Sequence, residues 1–162
     1  MSEGSILDGY YVVVCKNCGF VYADGIPDQY VFNKYYKSLS KYEYEYQDGK
    51  VTIYDERRFF KIVKHIQKFA KNKTIRILDV ECSTGYLLFL LKEKGYENVL
   101  GMDPSPTCAN IAKRLYSIDV EIKTLSDNML FKHKFDLIIL SSVLEHIRDI
   151  KAILFKIKNM VE

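Results

Sequence analysis

The chain has 162 residues, 48% hydrophobic and 28% charged, ordinary globular values that exclude disorder, collagen-like repeats and coiled coil. That length suits one core with a small appendage and excludes two full-sized domains. With 24 Lys and Arg against 21 Asp and Glu the net charge is +3, and the basic residues are scattered, so no basic stripe points to nucleic acid.

The first eight residues carry Glu3 where a secretory signal would carry a basic residue, and no apolar window reaches the length of a membrane span. The expected setting is therefore cytoplasmic, without membrane contact. Four cysteines, Cys15, Cys18, Cys82 and Cys108, then read as thiols or metal ligands, because a reducing compartment disfavours disulfides. Only Cys15 and Cys18 have ligand spacing. Residues 10–14 and 19–23 read as short strands around this knuckle. Tyrosines crowd the stretch beyond it: Tyr30, Tyr35, Tyr36, Tyr42, Tyr44, Tyr46 and Tyr54. Packing is the commoner fate of such rings, and substrate contact the sharper one. Gln47-Asp48-Gly49-Lys50 is a turn signal and marks a boundary, dividing the chain into a segment 1–48 and a domain 49–162.

After the boundary, residues 55–72 place Phe59, Ile62, Val63, Ile66, Phe69 and Ala70 at helical spacing. Apolar runs and helical patterns then alternate. Strands are expected at 75–80, 99–102, 120–123 and 135–141, and helices at 84–94, 105–116 and 149–160, the last two capped by Ser105 and Asp149. Strands buried on both faces and separated by helices predict an α/β fold, a Rossmann-like doubly wound sheet that is mainly parallel.

In such sheets ligands bind at the carboxyl ends of the strands, over the loop after the first one. Here that loop runs from Asp79 through Glu81, Cys82, Ser83 and Thr84 to Gly85, and a helix follows whose first N–H groups are open to a polar ligand. Asp103 ends the next strand, where a carboxylate can accept hydrogen bonds from both hydroxyls of a ribose. The dinucleotide fingerprint G-x-G-x-x-G is absent, which makes a nicotinamide enzyme a weak reading. Asp79 and Glu81 would repel a pyrophosphate but suit a cofactor bearing an ammonium and a sulfonium, as S-adenosylmethionine does. The plainer alternative for either acid alone is a residue of the turn or of the first helical turn.

ILDVECSTG resembles the first motif of class I S-adenosylmethionine-dependent methyltransferases, hydrophobic-LD-x-G-x-G-x-G, with Glu81 and Ser83 in the first two glycine positions. LGMDPSP resembles their second-strand motif and FDLIILSSVLEHI their fourth, so the resemblance covers residues 75–147. It implies a methyltransferase acting on a small molecule, on an incomplete form of that fold with four of seven strands. The cofactor-binding candidates that follow are Asp79 near the methionine part, Gly85 at a close backbone approach, Asp103 on the ribose, Asp127 as a displaced adenine-side acid, and Glu81, Ser83 and Ser141. The catalytic candidates are Glu145 and His146, a His with a carboxylate neighbour being suited to general-base work. Packing and capping of a helical turn is the alternative for that pair.

Cys15-Lys16-Asn17-Cys18-Gly19-Phe20-Val21-Tyr22 resembles the amino-terminal module of sugar C-methyltransferases that act on nucleotide-linked deoxysugars. The resemblance implies zinc held with a second C-x-x-C pair. No other Cys precedes Cys15, so Cys15 and Cys18 form a half site and the expected state is an empty knuckle. The family continues with three more strands, which leaves 135–141 as an expected exposed edge that a second copy or the amino-terminal strands would cover, giving a homodimer in the first case. The competing reading is a truncated, non-catalytic binding or assembly module. A nucleic-acid methyltransferase is disfavoured, since no Asn-Pro-Pro-Tyr type base-flipping motif is present.

Overall fold

The computed structural model describes residues 10–31, 51–125 and 131–162. Strands β1 (Tyr11–Val14) and β2 (Val21–Asp24) form an antiparallel hairpin, with Val12 opposite Ala23 and Val14 opposite Val21. Helix α1 spans Ile53–Phe69. Thr52 starts it by accepting a hydrogen bond from the Asp55 N–H at 3.1 Å, two residues earlier than the apolar spacing suggested.

Four parallel strands, β3 (Arg76–Val80), β4 (Asn98–Asp103), β5 (Val120–Ile122) and β6 (Leu137–Ile139), form one sheet in the order β5-β4-β3-β6. Helices α2 (Tyr86–Glu93), α3 (Pro106–Tyr116) and α4 (Ile150–Lys158) connect or follow them. As expected, Ser105 caps α3 through the Cys108 N–H and Asp149 caps α4 through the Ala152 N–H. The doubly wound fold anticipated from the sequence is present. Along β3 the alternation sorts the core: Ile77 joins Val63 and Ile66 of α1 and Leu87, Leu88 and Leu91 of α2, whereas Leu78 and Val80 join Met102, Val143 and Ile157 of α4 on the other face. Each fully buried leucine of α2 contributes roughly 1.5–3 kcal/mol of burial. Tyr96 is completely buried, donates its hydroxyl to the Ala70 carbonyl at 2.6 Å and so ties the end of α1 to the loop before β4.

Order and chain direction together place the switch point between β3 and β6: β4 and β5 lie on one side of β3, and the next strand crosses to the other. The fourth strand is shorter than expected. Phe135 sits outside it and pairs in parallel with Val161, receiving N–H donation from Glu162 and donating its own N–H to Met160. Of the edge expected to be bare over 135–141, Phe135, just before β6, is therefore covered within the chain. Five of the clustered tyrosines, the 47–50 boundary and Asp127 lie outside the described residues; Tyr30 and Tyr54 are exposed. No helix among the described residues is long and apolar enough to cross a membrane.

Candidate active site

The turn from β3 into α2 is left-handed at every second residue: Glu81 has φ 54°, Ser83 φ 52° and Gly85 φ 75°. These are the three glycine positions of the motif the segment resembles. Only one of them still holds glycine, yet all keep the backbone conformation that glycine adopts freely. Left-handed geometry costs a side-chain-bearing residue about 1–2 kcal/mol, so Glu81 and Ser83 are held there by their surroundings. The Cys82 N–H donates to the Met102 carbonyl at 3.1 Å, Gly85 N–H to the Cys82 carbonyl at 3.0 Å, and Ser83 N–H to Oδ2 of Asp103 at 2.8 Å. The other oxygen of Asp103 accepts from the Ser105 N–H at 2.9 Å, which fixes this carboxylate at the end of β4, directly beside the turn. Cys82 is buried against Gly101, where an added Cβ would lie 2.5 Å from its Sγ and 2.9 Å from Val120.

Gly85 is also packed against the protein. An added Cβ there would meet Ala112 at 3.1 Å and Ile118 at 3.3 Å, so the missing side chain makes room for α3 and the chain after it.

Carboxylates line the carboxyl ends of three adjacent strands. Asp79 is 3% exposed, and burial together with the neighbouring Asp103 charge pushes its pKa up to about 8, against a smaller opposing pull from Arg58. Among the described residues it has no hydrogen-bond or ion-pair partner. Glu81 is half-buried and is pushed up to about 7 by burial first, then by Asp103 and by Glu145. Arg58 reaches in from α1, pairing with Asp55 at 3.0 Å and donating from Nη1 to the Ser142 hydroxyl, while its buried Nε has no partner among the described residues. Buried acids at the carboxyl ends of the strands, with a guanidinium opposing the charge of one of them, suit a ligand that is cationic at one point and carries a carboxylate at another.

Of the residues singled out from the sequence, Asp79, Glu81, Ser83, Gly85 and Asp103 converge on this turn, and Glu145 is exposed on a short 3-10 turn (Leu144–His146) after β6, from which its charge raises the Glu81 pKa. Ser141 lies two residues beyond β6 and is half-buried. His146 belongs to the same turn as Glu145, and its carbonyl accepts from Nε2 of Gln29 at 3.0 Å. Gln29 also accepts from the Arg148 N–H at 2.9 Å, and Asp28 pairs with the Arg148 guanidinium. The front segment is thus fastened to the turn that carries Glu145 and His146. Sequence reading missed Arg58, Ser142, Asp28 and Gln29: Arg58 reads as the solvent-side partner of Asp55 three residues before it, and the others as plain loop residues. Cys15 and Cys18 sit on the tight turn between β1 and β2, with Cys15 N–H donating to Phe20 and Gly19 N–H to Cys15. The backbone N–H groups of Asn17 and Cys18 lower the Cys15 pKa. No three His, Cys, Asp or Glu side chains gather as a metal site among the described residues.

The family described as a methyltransferase domain matches residues 54–162. No curated protein matches the sequence significantly. Among solved structures, magnesium protoporphyrin IX methyltransferase from Synechocystis PCC 6803 with bound SAM superposes with a TM-score of 0.63 at 18% identity, covering 86% of this chain and 74% of that one. The plantazolicin methyltransferase BpumL, in complex with a pentazolic desmethylPZN analog and SAH, gives 0.64 at 14% identity over 83% of this chain and 54% of its own. Coclaurine N-methyltransferase, bound to N-methylheliamine and SAH, gives 0.56 at 15% over 64% and 33%. At these identities the likeness shows the fold, and the family match goes further: the chain belongs to the methyltransferase domain family.

Proposed function

We propose that the chain is an S-adenosylmethionine-dependent methyltransferase, that the cofactor binds over the 81–85 turn, and that the acceptor is a small molecule. The observation that carries this reading is the turn itself, left-handed at 81, 83 and 85 and hydrogen-bonded to Asp103 on the next strand. Structural neighbours crystallised with SAM or SAH support it. The residues present fit the group. A carboxylate offers about four acceptor sites, so Asp103, oriented by two backbone N–H groups, can receive ribose hydroxyls beside them. Asp79 would hold the ammonium, and Arg58, with its buried Nε, the carboxylate. The cofactor supplies an electrophilic methyl on sulfur; the chain's share is positioning, exclusion of water and removal of the acceptor's proton.

For that proton the residue is His146, with Glu145 beside it, on a turn that Gln29 and Asp28 fix against the front segment. The front segment and its exposed Tyr30 would cover the acceptor, for which the resemblance suggests a nucleotide-linked sugar as the first compound to assay. A second copy pairing along β6 beyond Phe135 would give a homodimer. Calorimetric titration with S-adenosylhomocysteine tests the reading: saturable binding that Asp103→Asn weakens at least tenfold is expected, and no binding to the wild-type chain refutes it.

A further inference from the structure

Glu81 stands where the backbone conformation calls for glycine, and its carboxylate is half-buried. Asp103, held beside the turn by the Ser83 N–H, and Glu145, on the turn after β6, both add negative charge to its surroundings. Among the described residues no cation pairs with it. Asp79, on the same strand, is likewise buried and unpartnered there, with Arg58 opposing its charge only from a distance. A residue at φ 54° thus adds a carboxylate to these acids at a position where glycine would be unstrained.

We propose that Glu81 sets the charge selectivity of this crevice, favouring the sulfonium form of the cofactor over its neutral thioether product. The inference rests on the cofactor reading above. S-adenosylmethionine carries an ammonium, a carboxylate and a sulfonium, for a net charge of +1. When the acceptor's lone pair takes the methyl carbon, the carbon–sulfur electron pair returns to sulfur and the product is neutral overall. The two molecules share every other group, so a carboxylate within several ångströms of sulfur, in a partly desolvated site, is the kind of element that tells them apart. At the effective dielectric of a half-buried site that attraction corresponds to a preference of about tenfold or more. Its use is release of product: a site that holds the thioether weakly is cleared for the next cofactor.

The test is calorimetric titration of the full chain with S-adenosylmethionine, S-adenosylhomocysteine and sinefungin, in which an amine-bearing carbon replaces the sulfonium. Wild type is expected to bind both cationic ligands about tenfold or more tighter than S-adenosylhomocysteine. Glu81→Gln, which keeps the shape and the backbone strain, should narrow that ratio at least about fivefold, chiefly by weakening the cationic ligands. Glu81→Gly should narrow it equally while relieving the strain, and circular dichroism confirms that each variant is folded. An unchanged ratio in both variants, or equal wild-type affinities for the sulfonium and thioether forms, overturns the inference while leaving the cofactor reading intact. Failure of the wild type to bind any of the three overturns both.

Discussion

Replacing Glu81 by Gln removes a charge and leaves the left-handed backbone in place, so its effect on stability isolates the electrostatics of the crevice. Folding moves this acid from 4.5 to about 7, so the native state holds its proton more tightly than the unfolded chain does. Below pH 4.5 both states are protonated and the group is neutral to stability. As the pH rises from there toward 7 the unfolded chain ionises first, and the penalty for ionising the native group grows until it levels off above 7. At about 1.4 kcal/mol per tenfold change, the difference between 4.5 and about 7 sets a ceiling of about 3.4 kcal/mol. Water still reaches the half-buried carboxylate, and screening reduces this to about half. Glu81→Gln should therefore stabilise the unliganded chain by about 0.4 kcal/mol at pH 5 and about 1.7 kcal/mol at pH 8. For a chain of this size that is a rise in melting temperature of about 1–2 °C and about 3–7 °C. Thermal unfolding followed by circular dichroism at the two pH values measures both shifts. Equal shifts at pH 5 and pH 8, or a loss at pH 8, would refute the reasoning, because either result means that a cation already compensates Glu81.

Asp79, with a pKa of about 8, is about nine-tenths protonated at pH 7 in the unliganded chain, and Glu81 about half. Placing an ammonium and a sulfonium beside them should expel about one proton per cofactor bound at pH 7 and almost none at pH 9.5. Titrations in buffers of different ionisation enthalpy count these protons; Asp79→Asn should remove the larger share, and absence of release at pH 7 would contradict the placement. Gly101→Ala puts a Cβ 2.5 Å from Sγ of Cys82 and 2.9 Å from Val120, in a site with nowhere to expand. A loss of about 1–3 kcal/mol is expected in urea unfolding, partly restored in a Gly101→Ala, Cys82→Ala double variant. Full additivity of the two changes would show that the sulfur is not what Gly101 makes room for.

The fold was legible because its signals are local. Continuous apolar runs such as residues 75–80, caps such as Ser105 and Asp149, and helical spacing each act within a few residues, and the sheet follows from their alternation. The central turn was legible for the same reason, since Asp79 and Asp103 lie at the carboxyl ends of consecutive strands that pair in parallel. What stayed hidden depends on contacts across the chain. Arg58 meets Ser142, Gln29 meets His146 and Asp28 meets Arg148 over 84, 117 and 120 residues, separations at which no spacing pattern carries information. Gly101 is hidden for a related reason: it looks like an ordinary strand residue, and only the sulfur of Cys82 packed over it shows why it has no side chain.

Loss of two motif glycines without loss of the turn says where its conformation is stored. A glycine-built turn is intrinsically permissive, and its shape comes cheaply. Here Glu81 and Ser83 together oppose the shape by about 2–4 kcal/mol, so it must be imposed by hydrogen bonds within the turn and to the neighbouring strand. Three hydrogen bonds do so: two between backbone groups, at roughly 1 kcal/mol each, and one from the Ser83 N–H to the Asp103 carboxylate, at about 1.5–3 kcal/mol. Gain and cost are of the same size, which makes Asp103 a structural support of the turn as well as the ribose ligand proposed above. Asp103→Asn keeps the side-chain shape but lowers the strength of that charge-assisted bond, so it should loosen residues 81–85 before any cofactor is added. Hydrogen exchange at the Ser83 amide reads this directly. Exchange at the wild-type rate in Asp103→Asn would place the restraint elsewhere, in the packing of Cys82 against Gly101.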